Sequence, residues 1–119
     1  MPKLLIVDDE EDIREFAKQF FRRRKIDTFT AKNGVEALEV ISKEGPDLVL
    51  LDITMEGMSG IEVLKKLREN DNHIKVVMVT ALEDKDIIRQ ADELGAIGYV
   101  HKPLMLSELE KIVLKELEL

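Results

Sequence analysis

Three short apolar runs, Leu4–Val7, Leu48–Leu51 and Val76–Val79, punctuate the chain with no polar alternation inside them. Runs of this length and character suit parallel strands covered on both faces. Thr28–Ala31 and Ile97–Val100 are mixed in polarity and read as weaker strands at the sheet edges. Between the strands the period changes. Ile13, Phe16, Ala17, Phe20 and Phe21 follow the spacing of one apolar helix face. So do Val35, Leu38 and Ile41, then Ile61, Leu64 and Leu67, then Ile87, Ile88, Ala91 and Leu94, and last Leu109, Ile112, Val113 and Leu117. Asn33 with Glu36, Ser59 with Glu62, and Ser107 with Glu110 fit helix-start capping boxes or close variants. Gly45-Pro46 and Gly95 mark helix ends.

This alternation predicts five βα units. Such a series builds a doubly wound α/β fold: a parallel sheet with right-handed crossovers and helices on both faces. The first, third and fourth strands are the most apolar, so the second and fifth belong at the edges. That favours the order 2-1-3-4-5 over a closed barrel, which needs about eight strands.

The length of 119 residues suits a single domain over residues 1–119. Charge narrows the partners. With 18 Lys and Arg against 25 Asp and Glu, the net charge of −7 disfavours nucleic acid or an anionic membrane as a direct partner. The run Arg22, Arg23, Arg24 and Lys25 looks like a nucleic-acid patch, but in so acidic a chain it reads as the complement of a helix C-terminus. There is no cysteine, which excludes disulfides, thiolate metal sites and a Cys nucleophile. Two histidines, His73 and His101, are too few for a His-rich metal site and read as surface residues. The opening apolar run is too short for a signal peptide and ends in acids. The expected location is the cytoplasm.

In an open parallel sheet, sites lie beyond the carboxyl ends of the strands, near the switch point. Strand one ends in Asp8-Asp9, strand three in Asp52 and strand four in Thr80, while Lys102-Pro103 follows strand five. Three acids, a hydroxyl and an ammonium therefore converge on one edge. Three close carboxylates repel and raise one another's pKa, so positive charge must hold them together. Lys102 supplies one; a divalent cation would supply the rest, and an all-oxygen site suits Mg²⁺ or Mn²⁺. Such a set can accept a phosphoryl group onto the aspartate that ends the rigid central strand, Asp52.

The stretches "LLIVDDEEDIRE", "PDLVLLDITMEGMSGIEVL", "VVMVTAL" and "GAIGYVHKPL", in this order and spacing, resemble the response-regulator receiver domain of two-component signalling, and the resemblance covers all 119 residues. It implies that Asp52 is the phosphoacceptor, fed by a sensor histidine kinase or histidine phosphotransferase and read by a downstream effector; the sequence leaves open a phosphorylation-dependent dimer. It implies that Asp9 is a direct metal ligand, that Asp8 helps through water, and that the backbone carbonyl of Thr54 completes the metal set with Asp52. Thr80 matches the hydroxyl that contacts the phosphoryl group, Tyr99 the aromatic switch, and Lys102 the family lysine, with its bond to Pro103 expected cis. One departure is Met55-Glu56-Gly57, where the family often has Met-Pro-Gly. Glu56 removes a fixed φ and adds negative charge near the site.

Two other classes compete. An aspartate-nucleophile phosphatase usually carries a second acid two residues after the nucleophile, where this chain has Thr54. A docking module that works without phosphorylation would not need Asp9, Asp52 and Lys102 together.

Overall fold

A computed structural model describes residues 1–81 and 84–119; Leu82, which ends the "VVMVTAL" stretch, and Glu83 lie outside it. Strands β1 (Lys3–Val7), β2 (Asp27–Ala31), β3 (Leu48–Asp52), β4 (Lys75–Thr80) and β5 (Gly98–His101) alternate with helices α1 (Glu11–Arg22), α2 (Gly34–Glu44), α3 (Gly60–Glu69), α4 (Lys85–Glu93) and α5 (Leu106–Glu116). The strands form one parallel sheet in the expected order β2-β1-β3-β4-β5. Among the described residues no helix is long and apolar enough to cross a membrane.

Successive side chains of a strand point to opposite faces, and the core divides accordingly. Leu5, Val7, Val49, Leu51, Val76 and Met78 pack with Ala37, Ile41, Val63, Leu64, Leu67 and Ala91 of α2, α3 and α4. Leu4, Ile6, Leu48, Leu50, Val77 and Val79 pack with Ala17, Phe21, Leu109 and Val113 of α1 and α5. This explains the uninterrupted apolar strands: both faces are covered.

Some expectations from the pattern need correction. Phe16 and Val35 sit on apolar stripes, yet they are 61% and 58% exposed. The sheet needs only a narrow line of each helix, and it takes Ala17 and Phe21 from α1 and Ala37 and Ile41 from α2. Ser107 is not a cap. Helix α5 has begun before it, with Met105 at the cap position and the Met105 carbonyl already accepting from Glu108 and Leu109. Asn33 and Ser59 do cap α2 and α3, accepting from the backbone N–H of Glu36 and Glu62. Asp84 caps α4 in the same way, accepting from Asp86 and Ile87. The basic run behaves as a helix-end complement: Arg24 donates to the Phe20 carbonyl, stacks its guanidinium 3.6 Å from the Phe20 ring centroid and pairs with Glu110 of α5. Arg22 donates to the Thr28 carbonyl of β2. Both histidines are exposed.

Two anchors fix loops at opposite edges of the sheet, the first at its carboxyl edge. The Gly60 N–H donates to the Ile53 carbonyl at 2.9 Å, bringing the start of α3 hard against the end of β3. At the far end, Arg68 of α3 donates to the carbonyls of Leu94 and Gly95 after α4 and to those of Asn72 and Ile74 before β4. Burial lowers the pKa of this guanidinium.

Gly60 leaves no room for a side chain. A Cβ there would overlap the Asp52 carbonyl oxygen and lie 2.9 Å from Ile53 Cα, both backbone atoms that cannot swing away. Gly60→Ala is therefore expected to cost about 3 kcal/mol in urea denaturation. Gly45 caps α2 at φ 55° in open space, and Gly45→Ala is expected to cost only about 1 kcal/mol, the left-handed backbone term. Equal losses at the two positions would contradict the close-approach account of Gly60.

Candidate functional site

The β1–β3 register sets Val7 beside Leu51. The next residues along each strand, Asp8 and Asp52, therefore leave the sheet together. Both are buried, at 2% and 1% exposure. Lys102 reaches them from the end of β5. Its backbone N–H donates to the Thr80 carbonyl at 2.8 Å, and Thr80 lies beside His101 in the sheet. The Lys102 ammonium donates to Asp52 Oδ2 at 2.9 Å and lies 3.3 Å from Asp8 Oδ2. The Lys102–Pro103 bond is cis, as the resemblance implied.

The remaining oxygens of both carboxylates are fixed by backbone. Asp52 Oδ1 accepts from the Thr54 N–H at 3.1 Å, and Asp8 Oδ1 accepts from the Glu10 N–H at 2.9 Å. These are short turns that close on their own aspartates. Burial raises the pKa of Asp52. The hydrogen bond and charge of Lys102 oppose it, and the nearby Asp8 charge adds to it. For Lys102, burial pulls the ammonium down, but the bond and charge of Asp52, with those of Asp8, outweigh it and raise the pKa.

Of the residues singled out from the sequence, Asp8, Asp52 and Lys102 come into direct contact. Thr80 is buried at the end of β4, in the strand next to β3. Asp9 is exposed at the mouth. Carboxylate oxygens of Asp8, Asp9 and Glu10 lie within 4.8 Å of one another. Glu10 was missed from the sequence, although the unbroken acidic run "DDEE" is its signal. Arg14 was also missed. Its Nη1 donates to the Asp8 carbonyl at 2.7 Å, so it braces the loop that carries the acids. That contact runs from α1 back to the loop before it and follows from the loop path, which periodicity does not report.

Tyr99 stands apart from the acids, on the edge strand beside Met78. Its hydroxyl donates to the Ile88 carbonyl at 2.7 Å and to Asp92 Oδ1 at 3.1 Å, both on α4. Burial, followed by the bond to Asp92 and its charge, pushes the phenol up to about 12.

Chemically, the site offers a buried carboxylate held in one orientation, an ammonium on one of its oxygens, and a cluster of hard oxygen donors beside it. That set suits charge-balanced transfer of an oxyanion and binding of a hard cation.

Comparison with known proteins places the arrangement. Residues 4–114 match the family described as the response regulator receiver domain. The chain is 43% identical over 117 residues to the sporulation initiation phosphotransferase F of Bacillus subtilis, covering 98% of this chain and 94% of that protein. It is 38% identical to the regulatory protein AtoC of Escherichia coli, where the match covers 98% of this chain and 25% of the relative. The crystal structure of a CheY-like response regulator receiver domain protein from Methanospirillum hungatei superimposes with a TM-score of 0.93 at 28% identity, covering 99% of this chain and 94% of that one. With its fold, its edge of acids and its sequence all agreeing, the chain belongs to the response regulator receiver domain family.

Proposed function

We propose that this chain is a phosphoacceptor: Asp52 takes a phosphoryl group from a phosphohistidine on a sensor histidine kinase or histidine phosphotransferase, and the modified domain presents a changed surface to an effector. The observation that carries this reading is the Lys102 ammonium spanning the buried Asp8 and Asp52 at the ends of adjacent strands.

In the transfer, an Asp52 oxygen bonds to phosphorus as the phosphorus–nitrogen bond breaks and the imidazole keeps the electron pair. Asp52 is suited to this because burial makes it more basic than an ordinary aspartate and its neighbours fix its direction. Lys102 stands ready to follow negative charge from the carboxylate to the phosphoryl oxygens. The donor set fits a hard divalent cation, since Asp8, Asp9 and Glu10 offer only oxygen and group closely. Asp8 and Asp9 would hold Mg²⁺ or Mn²⁺, with Asp52 and the Thr54 carbonyl as the resemblance implies. When bound, the ion supplies positive charge to the oxygens in transfer. Thr80, at the end of the strand next to β3, is the hydroxyl proposed to meet the phosphoryl group. Tyr99, bonded to α4, is the proposed reporter of that contact.

Incubation with acetyl phosphate and Mg²⁺ is expected to add one phosphoryl mass to the parent chain and none to Asp52→Asn. Asp9→Ala should fold normally and slow the uptake at least about tenfold, the scale of a lost metal-site partner. Uptake by Asp52→Asn at the parent rate would refute the assignment.

Lys102→Ala leaves two buried carboxylates facing each other, and in metal-free buffer at neutral pH it is expected to lose about 3 kcal/mol. The sign with pH follows from Asp52. A carboxyl whose folded pKa is raised favours the fold when protonated, an advantage present at low pH and lost as pH rises through the folded value. The deficit of Lys102→Ala should therefore shrink on acidification. A deficit independent of pH would point to packing instead of charge.

Tyr99 is the only tyrosine, so its ionisation can be followed directly by ultraviolet absorbance. The parent should titrate near 12, against 10.0 for an ordinary tyrosine. Because the folded value is raised, its contribution to stability is complete below pH 10.0 and is lost as pH climbs through about 12. Asp92→Asn should lower the midpoint part of the way, leaving the share due to burial. No change in Asp92→Asn would rule out the Tyr99–Asp92 bond in solution and leave only the one to the Ile88 carbonyl.

A further inference from the structure

Beside Asp9 lies an open cavity of about 380 Å³, lined by Asp9, Arg14, Lys32, Asn33, Glu56 and Gly57. It is large enough for a small phosphate ester and adjoins the acids around Asp52. Two cations and two anions line it. Arg14 is held in place by its bond to the Asp8 carbonyl. Among the described residues, no ion pair within 4.0 Å joins Arg14 or Lys32 to Asp9 or Glu56, so neither cation is spent on a direct partner there. Asp9 belongs to the oxygen cluster suited to a cation. Once that charge is balanced, Glu56 is the remaining anion of the lining. It stands exposed just before Gly57, whose φ of 82° turns the chain. The family pattern has an uncharged proline at this position.

We propose that Glu56 sets donor selectivity: its charge opposes small, doubly charged acyl phosphates that Arg14 and Lys32 would otherwise draw toward Asp52. The inference rests on Asp52 being the phosphoacceptor. In the step concerned, an Asp52 oxygen bonds to phosphorus as the phosphorus–oxygen bond to the acyl group breaks, and acetate leaves with the electron pair. Glu56 touches none of these atoms. It acts on the approach of the donor through a short-range field that salt screens.

The test measures the second-order rate of phosphorylation by acetyl phosphate with Mg²⁺, read by intact mass. Glu56→Gln should raise the rate about fivefold at low ionic strength, the effect of removing one charge a few ångströms from a dianion's path. Glu56→Lys should raise it further, and Lys32→Gln should lower it. Both gains should largely vanish near 1 M salt, where the screening length is about 3 Å. Phosphoramidate, which carries less negative charge, should gain less than acetyl phosphate. Glu69→Gln, exposed at the opposite end of α3, makes the same change in net charge and should leave the rate unaltered. A parent that is phosphorylated on Asp52 with Glu56→Gln no faster overturns the role of Glu56 and leaves the phosphoacceptor reading standing. An equal gain in Glu69→Gln, or one that survives high salt, also overturns it. A parent that takes up no phosphoryl group overturns both readings.

Discussion

One ammonium between two buried carboxylates governs this molecule. Asp8 and Asp52 are each almost wholly removed from water, and each alone would be expensive to ionise there. Lys102 makes the pair tolerable, yet two carboxylates and one ammonium still leave one negative charge over. Burial raises the pKa of Asp52 against the opposing pull of Lys102, and the neighbouring Asp8 charge adds to the rise. The site is therefore short of positive charge by construction. Asp9 and Glu10 deepen the shortage at its mouth. The excess of negative charge at this edge is thus a property of the protein's own side chains, whatever binds there.

That arrangement constrains the fold more tightly than core packing does. The three groups come from the ends of three different strands, and a slip of one residue in any strand would send its side chain to the other face. The parallel register of β1 with β3 keeps Asp8 level with Asp52. The pairing of Thr80 with His101, extended by the Lys102 N–H to the Thr80 carbonyl, keeps Lys102 within reach. Gly60 then fixes the return path of the chain after Asp52, where only a residue without Cβ lets α3 start so close to β3.

Much of this could be read from the pattern, for a physical reason. Strands covered on both faces leave unbroken apolar runs, and the abrupt polar residue at the end of each run, an acid after the first and third strands, marks where the sheet stops and the site begins. Asp8 and Asp52 were legible on those grounds, and Lys102 as the cation after strand five that the converging acids require. What the pattern hid depended on how loops travel. Glu10 and Arg14 join the site through the path between β1 and α1, and Asp84 caps α4 after a stretch without period. Phe16 and Val35 misled because helical spacing identifies a face but not how wide a strip of it the sheet will cover. Ser107 misled because the same spacing can arise by chance at the second residue of a helix.

The same geometry bears on how a change at Asp52 could travel. Helix α4 is tied near its C-terminal end by Arg68, which takes the carbonyls of Leu94 and Gly95. Along its length it is tied by the Tyr99 hydroxyl, on Ile88 and Asp92. The first tie stands far from the acids and has no reason to respond to them. The second comes from the strand that neighbours Thr80's own. The hydroxyl has one proton, shared between these two acceptors, so rotation of Tyr99 would cost about 1 kcal/mol net. New contacts at the other end must exceed that cost to move the population. A coupling of roughly 1–3 kcal/mol, ordinary for linked sites, is of the right size against a resistance of about 1 kcal/mol. A change at Asp52 with coupling of that size would suffice to release Tyr99 from α4.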